Sequence, residues 1–170
     1  MLPSVTTLVA GEPVRGSWWA HPAAGLIYQT LELLSDHREV MLVKLVAGKD
    51  TFVHRRWWPT IYAIGNAREP WQRAGLSDTA RTLDRKLMKA GQLEAAGAAA
   101  KELQVRLLAH AEQFHTAAGS HRTRLETWKH WAQRLGLDMD MEPIAPHEAR
   151  SSMEALLPTA KFPWSRANGK

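Results

Sequence analysis

The spacing of apolar positions changes from a helical to a strand pattern within the first third of the chain. Within residues 21–36 the apolar side chains recur at the spacing of one helix face, and they are Leu26, Ile27, Leu31 and Leu34. This segment is predicted to be a helix, with Pro22 tolerated in its first turn. The two segments that follow, EVMLVKLV and DTFVHR, are rich in β-branched and aromatic residues, which favour strands. Because Gly48 lies between them at a turn, residues 39–56 are predicted to form an antiparallel β-hairpin.

Helix signals dominate the chain after this hairpin. Pro59 is placed to begin a short helix over residues 57–67. Ser77 is a good N-cap for the next helix, and Gly91 supplies its stop. The buried face of that helix is predicted to carry Ala80, Leu83 and Leu87.

A helical hairpin is predicted over about residues 98–136, with a break at the AAGS segment. Its first helix has an apolar stripe that consists of Leu103, Leu107, His110 and Phe114. Its second helix begins at Ser120, ends at Gly136 and has an inner face that consists of His121, Leu125, Trp128, Ala132 and Leu135. A further short helix is expected in the segment HEARSSMEALL, and residues 161–170 are predicted to be a tail.

These elements predict one mostly helical α+β domain over residues 1–160. The length of 170 residues is enough for one domain with a real core. The apolar runs are shorter than the roughly 18 residues that a membrane helix needs, and the N-terminus does not read as a secretory signal. The sequence has no cysteine, so disulfides and thiolate metal sites are excluded. We therefore predict a cytoplasmic protein without a membrane partner.

The hairpin concentrates basic and aromatic residues in a chain whose formal net charge is +5. A positive charge favours anionic partners such as nucleic acid. The candidate binding residues here are Lys44, Lys49, His54, Arg55, Arg56, Trp57 and Trp58. Cations neutralise phosphates while tryptophan stacks on a base, a combination that nucleic-acid-binding surfaces use. The alternative is that the tryptophans fill the core, with arginine stems over their faces.

A second candidate surface lies on the helix that Ser77 caps. Its exposed side carries Arg81, Arg85 and Lys89 at intervals of four, which makes one basic ridge suited to a phosphate-lined groove. A capped helix with a glycine stop and then a short Gln-Leu-Glu segment resembles the recognition helix and first wing strand of winged helix-turn-helix proteins. The resemblance covers about residues 59–96, and it implies DNA binding. The alternative is a solvated basic helix face.

Three histidines and a carboxylate form the third candidate. His110 and His121 are predicted on the inner faces of two successive helices, with His115 and Glu112 near the same end. Such a group can hold a metal ion or supply an acid and a base for phosphate chemistry. The spacing matches no standard metal motif, so we predict no metal and no cofactor. The alternative is that His110 and His121 are hydrogen-bonded residues between the two helices.

The function is predicted as nucleic-acid binding, with DNA preferred, through the hairpin and the basic ridge. A small enzyme that acts on a nucleotide or phosphorylated substrate through the histidines is the first alternative. A protein-interaction domain with a tryptophan-rich interface is the second, since tryptophan and arginine dominate binding hot spots. The oligomeric state and any sequence specificity stay open.

Overall fold

Residues 4–115, 121–137 and 143–166 are described by the computed structural model of the chain. They form a mixed α and β structure with two small antiparallel sheets. The α-helices are α1 (Val5–Ala10), α2 (Ala24–Ser35), α3 (Trp58–Asn66), α4 (Pro70–Arg73), α5 (Asp78–Ala90), α6 (Gly97–Val105), α7 (Trp128–Arg134) and α8 (Pro146–Leu156). The strands are β1 (Val40–Val46), β2 (Lys49–His54), β3 (Gln92–Glu94), β4 (His110–His115) and β5 (His121–Glu126). No helix among these residues is long and apolar enough to cross a membrane.

Strands β1 and β2 form the predicted hairpin. They pair in antiparallel register with Val40 opposite His54. The two residues between them, Ala47 and Gly48, both have positive φ angles, 54° and 70°, as a type I′ two-residue turn requires. Alternate residues of β1 are buried, as expected for a strand with one face on the core, and these residues are Met41, Val43 and Leu45.

The predicted helices of residues 21–36, 57–67 and 147–157 are present as α2, α3 and α8. The helix capped by Ser77 is also confirmed, as α5. The Ser77 hydroxyl accepts a hydrogen bond from the Ala80 amide at 3.2 Å, and Gly91 ends the helix with φ of 78°. Ala80 and Leu87 are fully buried, so the predicted inner face of α5 is correct at these two positions.

The predicted helical hairpin over residues 98–136 is wrong. Helix α6 ends at Val105, and the chain continues as the antiparallel strands β4 and β5 before α7 begins. Strand β3 pairs with the other edge of β5, which gives the strand order β3-β5-β4. The predicted N-cap Ser120 lies outside the described residues.

The physical cause of this error lies at Leu107 and Leu108. Leu107 has a φ of 53°, which a helix cannot contain, and both leucines are 1% exposed. Leu107 belongs to one hydrophobic core and Leu108 to another. Burial of two adjacent side chains in different cores therefore overrides the helical spacing that the sequence displays.

The two cores divide the molecule. The first joins the β1–β2 hairpin, α3, α7 and α8, and its members include Trp58, Ile61, Ile64, Trp128 and Trp131. The second joins α5, α6 and the three-stranded sheet, and its members include Leu76, Leu87, Leu103, Leu108 and Leu125. Helix α5, which carries the predicted basic ridge, thus packs on the second core, whereas the basic hairpin packs on the first.

Residues 161–166 do not behave as the predicted tail. Phe162 and Trp164 are 2% and 3% exposed and belong to the first core. Their rings stack at a centroid distance of 4.6 Å, and the Trp164 indole donates a hydrogen bond to Glu154 at 2.7 Å. Aromatic side chains this deeply buried anchor the segment to the domain. Residues 167–170 lie outside the described residues.

Candidate nucleic-acid interface

Helix α5 presents its basic ridge to solvent. Arg81, Arg85 and Lys89 are all exposed, and each is four residues from the next. Four residues of helix rise about 6 Å, so the three charges form an evenly spaced row along the helix axis. The Arg81 guanidinium bonds the exposed Asp78 carboxylate at 2.9 Å. A surface pair of this kind is weak and leaves Arg81 able to exchange partners.

A groove of about 480 Å³ runs along one side of α5. Four arginines line it, namely Arg68, Arg73, Arg81 and Arg85. The carboxylate in the same groove, Asp84, is buried and forms an ion pair with Arg68. The groove therefore carries three arginines beyond the one that Asp84 neutralises.

A second groove, of about 360 Å³, lies beside the C-terminal half of α5. Its lining includes Arg68 again, together with Lys89, Lys129 and His130. The two grooves share Arg68, whose charge Asp84 neutralises. We define the α5 basic face as Arg68, Arg73, Arg81, Arg85, Lys89, Lys129 and His130.

Four members of this face were missed by the sequence analysis. Arg68 and Arg73 come from the segment REPWQR, which ends five residues before α5 begins, and Lys129 and His130 come from TWKHW, which follows β5. Both segments contain basic residues close to tryptophan, as the hairpin segment HRRWW does. Only the tertiary fold shows that these segments flank α5.

Two of the candidate basic residues of the hairpin lie near a carboxylate. The Lys44 ammonium is 2.7 Å from the Asp50 carboxylate across the hairpin. His54 Nε2 lies 3.7 Å from a Glu39 carboxylate oxygen. Lys49 is exposed.

Trp57 and Trp58 have different environments, as expected for adjacent residues. Trp58 is 6% exposed, and its indole donates a hydrogen bond to the Val53 carbonyl at 3.1 Å. It therefore fills the core and cannot stack on a base. Trp57 is half-buried, with the exposed Arg56 guanidinium 5.6 Å from its ring centroid. Arg55 is exposed as well.

The predicted cations of the hairpin and those of α5 lie on different parts of the fold. Arg55 and Arg56 precede α3 on the first core, and neither lines a groove beside α5. The α5 basic face is therefore a candidate site without them.

The backbone separates His110 from the other two candidate histidines. His110 and His115 are five residues apart along β4, a backbone separation of about 17 Å. His115 lies opposite His121 in the strand register, whereas His110 lies opposite Glu126. The side chains of His115 and His121 lie outside the described part of the structure. Among the residues that are described, no three histidine, aspartate or glutamate side chains are placed to hold a metal ion.

His110 instead lies in a buried polar cluster with Glu126. Glu126 is 0% exposed, and Arg134 donates to both of its carboxylate oxygens at 2.8 and 2.7 Å. His110 Nδ1 is 3.6 Å from one of these oxygens, and His130 Nε2 is 3.8 Å from the other. Burial raises the pKa of Glu126, but His110 and Arg134 outweigh burial and lower this pKa to about 2.

Glu112, the carboxylate predicted beside the histidines, is held by two arginines. Arg124 donates to it at 2.6 Å and Arg134 at 3.1 Å. Glu126 and Arg134 were both missed by the sequence analysis. The only sequence signal for them is the four-residue spacing of Glu126, His130 and Arg134, which a strand–helix junction brings together here.

Comparison of the chain with models of protein families, with curated proteins and with solved structures gave no match.

Proposed function

We propose that this protein binds nucleic acid, DNA in particular, through the α5 basic face. The observation that carries the proposal is the pair of grooves beside α5, which share Arg68 and are lined by six arginine and lysine side chains in all. A concave lining with an excess of positive charge concentrates the field on an anionic partner. A cytoplasmic location, predicted from the cysteine-free sequence, agrees with such a partner.

The spacing of the ridge favours contact with a phosphate backbone. Arg81, Arg85 and Lys89 repeat at about 6 Å, which is comparable to the separation of successive phosphates along one strand. Phosphates of a strand parallel to α5 would then lie in the two grooves. Such contacts fix the position of the nucleic acid without reading its sequence.

The proposed arrangement differs from that of a winged helix in strand pairing and in the orientation of α5. Strand β3 follows α5 as a first wing strand does, but its partner is β5, so α6 and β4 intervene along the chain. In the proposed arrangement α5 lies along the phosphate backbone of the nucleic acid, and strands β4 and β5 take the place of the wing.

The test compares two neighbouring residues of α5. Arg85 and Lys86 are both exposed, but only Arg85 lines a groove beside α5. Affinity for labelled duplex and single-stranded DNA is measured by fluorescence anisotropy at several salt concentrations for wild type, Arg85→Gln and Lys86→Gln. If five of the six cations contact duplex phosphates, the logarithm of affinity falls against log salt with a slope of roughly −4 to −5.

Arg85→Gln is expected to flatten this slope by about 0.9, whereas Lys86→Gln leaves it nearly unchanged. The same comparison with Arg55→Gln/Arg56→Gln shows whether the hairpin adds contacts. No binding at low salt, or equal effects of Arg85→Gln and Lys86→Gln, would overturn the proposal.

A further inference from the structure

Among the tryptophan, tyrosine and phenylalanine side chains that the structure describes, the two exposed ones lie together. They are Trp19 and Tyr28, 64% and 42% exposed, and their ring centroids are 5.7 Å apart. Trp18 stacks on Trp19 at a centroid distance of 4.0 Å. We call Trp18, Trp19 and Tyr28 the aromatic cluster. Single exposed apolar residues are normal on a protein surface, whereas a contiguous exposed group is typical of an interaction site.

Core packing does not account for the aromatic cluster. Trp18 and Trp19 belong to a single helical turn, Trp18–Ala20, which contains no buried residue. Tyr28 is in α2, where Ile27 is the one buried residue. Every buried member of the two cores lies at Met41 or later in the chain. The exposed rings are therefore available to a partner.

A carboxylate lies at the edge of the aromatic cluster. The exposed Glu32 accepts a hydrogen bond from the Tyr28 hydroxyl, one helical turn earlier in α2. One donor leaves most of the acceptor capacity of a carboxylate unused. In the described part of the chain, no basic nitrogen lies within 4 Å of the Glu32 oxygens.

The segment around the cluster is acidic in a basic protein. Residues 5–36 contain three carboxylates and one arginine, a formal net charge of −2, whereas the whole chain has +5. Charge complementarity at this surface therefore favours a cationic partner.

Elsewhere the protein covers half-buried rings with its own arginines. The Arg56 guanidinium lies 5.6 Å from the Trp57 ring centroid, and that of Arg124 lies 5.9 Å from the Phe114 centroid. These are the two such pairs among the described residues, so no cation from them covers the aromatic cluster. A guanidinium can stack on an aromatic face and donate hydrogen bonds to a carboxylate at the same time. The aromatic cluster and Glu32 offer both kinds of contact.

The helices that carry the cluster expose further apolar side chains. Leu8 of α1 is 65% exposed, and Leu26 and Leu33 of α2 are 57% and 73% exposed. A small cation would leave these leucines in water, whereas a polypeptide can cover them as well. The segment therefore favours a protein partner.

We propose that the aromatic cluster and Glu32 bind an arginine side chain of a partner protein. The guanidinium lies against the exposed faces of Trp19 and Tyr28 and donates to Glu32. Tryptophan and arginine are residues that dominate binding hot spots. This site is separate from the α5 basic face, since none of its residues lines a groove beside α5. The two surfaces take partners of opposite charge.

The experiment uses acetyl-Leu-Arg-Leu-amide as the probe. Its citrulline analogue keeps the shape without the charge, and its lysine analogue keeps the charge without the planar group. Backbone and indole N–H signals of the ¹⁵N-labelled full chain are followed by NMR during titration with each peptide and with guanidinium chloride. The arginine peptide is expected to shift the indole signals of Trp18 and Trp19 saturably, with a Kd of about 1 mM. The citrulline peptide is expected to bind at least about tenfold more weakly, because it lacks the charge-assisted hydrogen bonds to Glu32.

Glu32→Gln is expected to weaken binding of the arginine peptide by about tenfold, although glutamine keeps an acceptor for the Tyr28 hydroxyl. Glu148→Gln is the matched control, since Glu148 is an exposed glutamate of another helix, α8, and it should leave binding unchanged. Trp19→Leu is expected to weaken binding by about threefold through loss of the cation–π contact. Its far-UV circular dichroism should match that of wild type, because the Trp19 ring is exposed.

Four outcomes would contradict the proposal. No saturable shift of the two indole signals up to about 20 mM peptide would refute the site. Equal affinity for the arginine and citrulline peptides, or equal effects of Glu32→Gln and Glu148→Gln, would refute a cationic ligand held by Glu32. Equal affinity for the lysine peptide would refute the guanidinium. Equal affinity for guanidinium chloride would refute a polypeptide partner.

Discussion

Among the glycines of the described residues, Gly65 has the least room for an added methyl group. A Cβ atom built on Gly65 would lie 2.1 Å from Nε1 of Trp128, far inside van der Waals contact. Trp128 is 2% exposed, and its Nε1 donates a 2.7 Å hydrogen bond to the Leu107 carbonyl. Gly65→Ala therefore forces either the indole or helix α3 to move.

Two effects of Gly65→Ala lower the free energy of unfolding, and one raises it. Overpacking a close-packed core destabilises by about 1–3 kcal/mol. Moving the indole breaks its bond to Leu107 and leaves buried polar groups unpaired, which adds about 1–3 kcal/mol. Alanine is the better helix former by about 1 kcal/mol, which reduces the total. We expect Gly65→Ala to lower the free energy of unfolding by about 3 kcal/mol.

Gly25→Ala is the matched control. Gly25 is also in a helix, and no atom lies within 4 Å of a Cβ built on it. This variant is expected to be neutral or up to about 1 kcal/mol more stable. The measurement is urea unfolding followed by far-UV circular dichroism, which avoids the direct effect of either change on tryptophan fluorescence. Free energies of unfolding within about 0.5 kcal/mol of each other for the two variants would refute the packing argument.

Three further predictions follow from buried side chains. Trp58→Ala is expected to cost about 3–5 kcal/mol in urea unfolding, and Trp57→Ala clearly less; equal losses would contradict their different burial. Because the pKa of Glu126 is lowered to about 2 from 4.5, its contribution of about 3 kcal/mol is present above pH 4.5 and lost as pH falls toward 2. Unfolding at pH 7 and pH 3 should therefore differ less in Glu126→Gln than in wild type; an unchanged difference would contradict this assignment. Gln72→Leu should cost about 2 kcal/mol or more, since the Gln72 amide bonds the carbonyls of Gly65, Arg106 and Leu107; a neutral result would show that these carbonyls have other partners.

Elements with local signals were predictable from the sequence. The Ala47–Gly48 turn, the Ser77 cap and the Gly91 stop each depend on residues within a few positions, and the hairpin and α5 form where these signals place them. The β4–β5 hairpin was not predictable in this way. Its strands are specified by pairing with β3 and by burial of Leu107 and Leu108 in separate cores, which are long-range effects.

The candidate site was predictable to the same limited extent. Regular spacing along one helix was sufficient to identify Arg81, Arg85 and Lys89. Arg68 and Lys129 lie outside α5 and line the groove beside it only through tertiary packing, which no local pattern encodes. His110 and His115 are separated along a strand, whereas the predicted helix would have placed them on neighbouring turns.

The order of the two cores along the chain determines how the protein can fold. Residues 76–125 supply most of the second core, and they lie between the two stretches, 41–64 and 128–164, that supply most of the first. The second core can therefore assemble from contiguous chain, while the first must wait for a long loop to close where Trp128 meets Gly65. When residue 125 has been made, the buried residues of the second core are all present, whereas half of those of the first core still follow along the chain. The nested arrangement therefore favours assembly of the second core before the first.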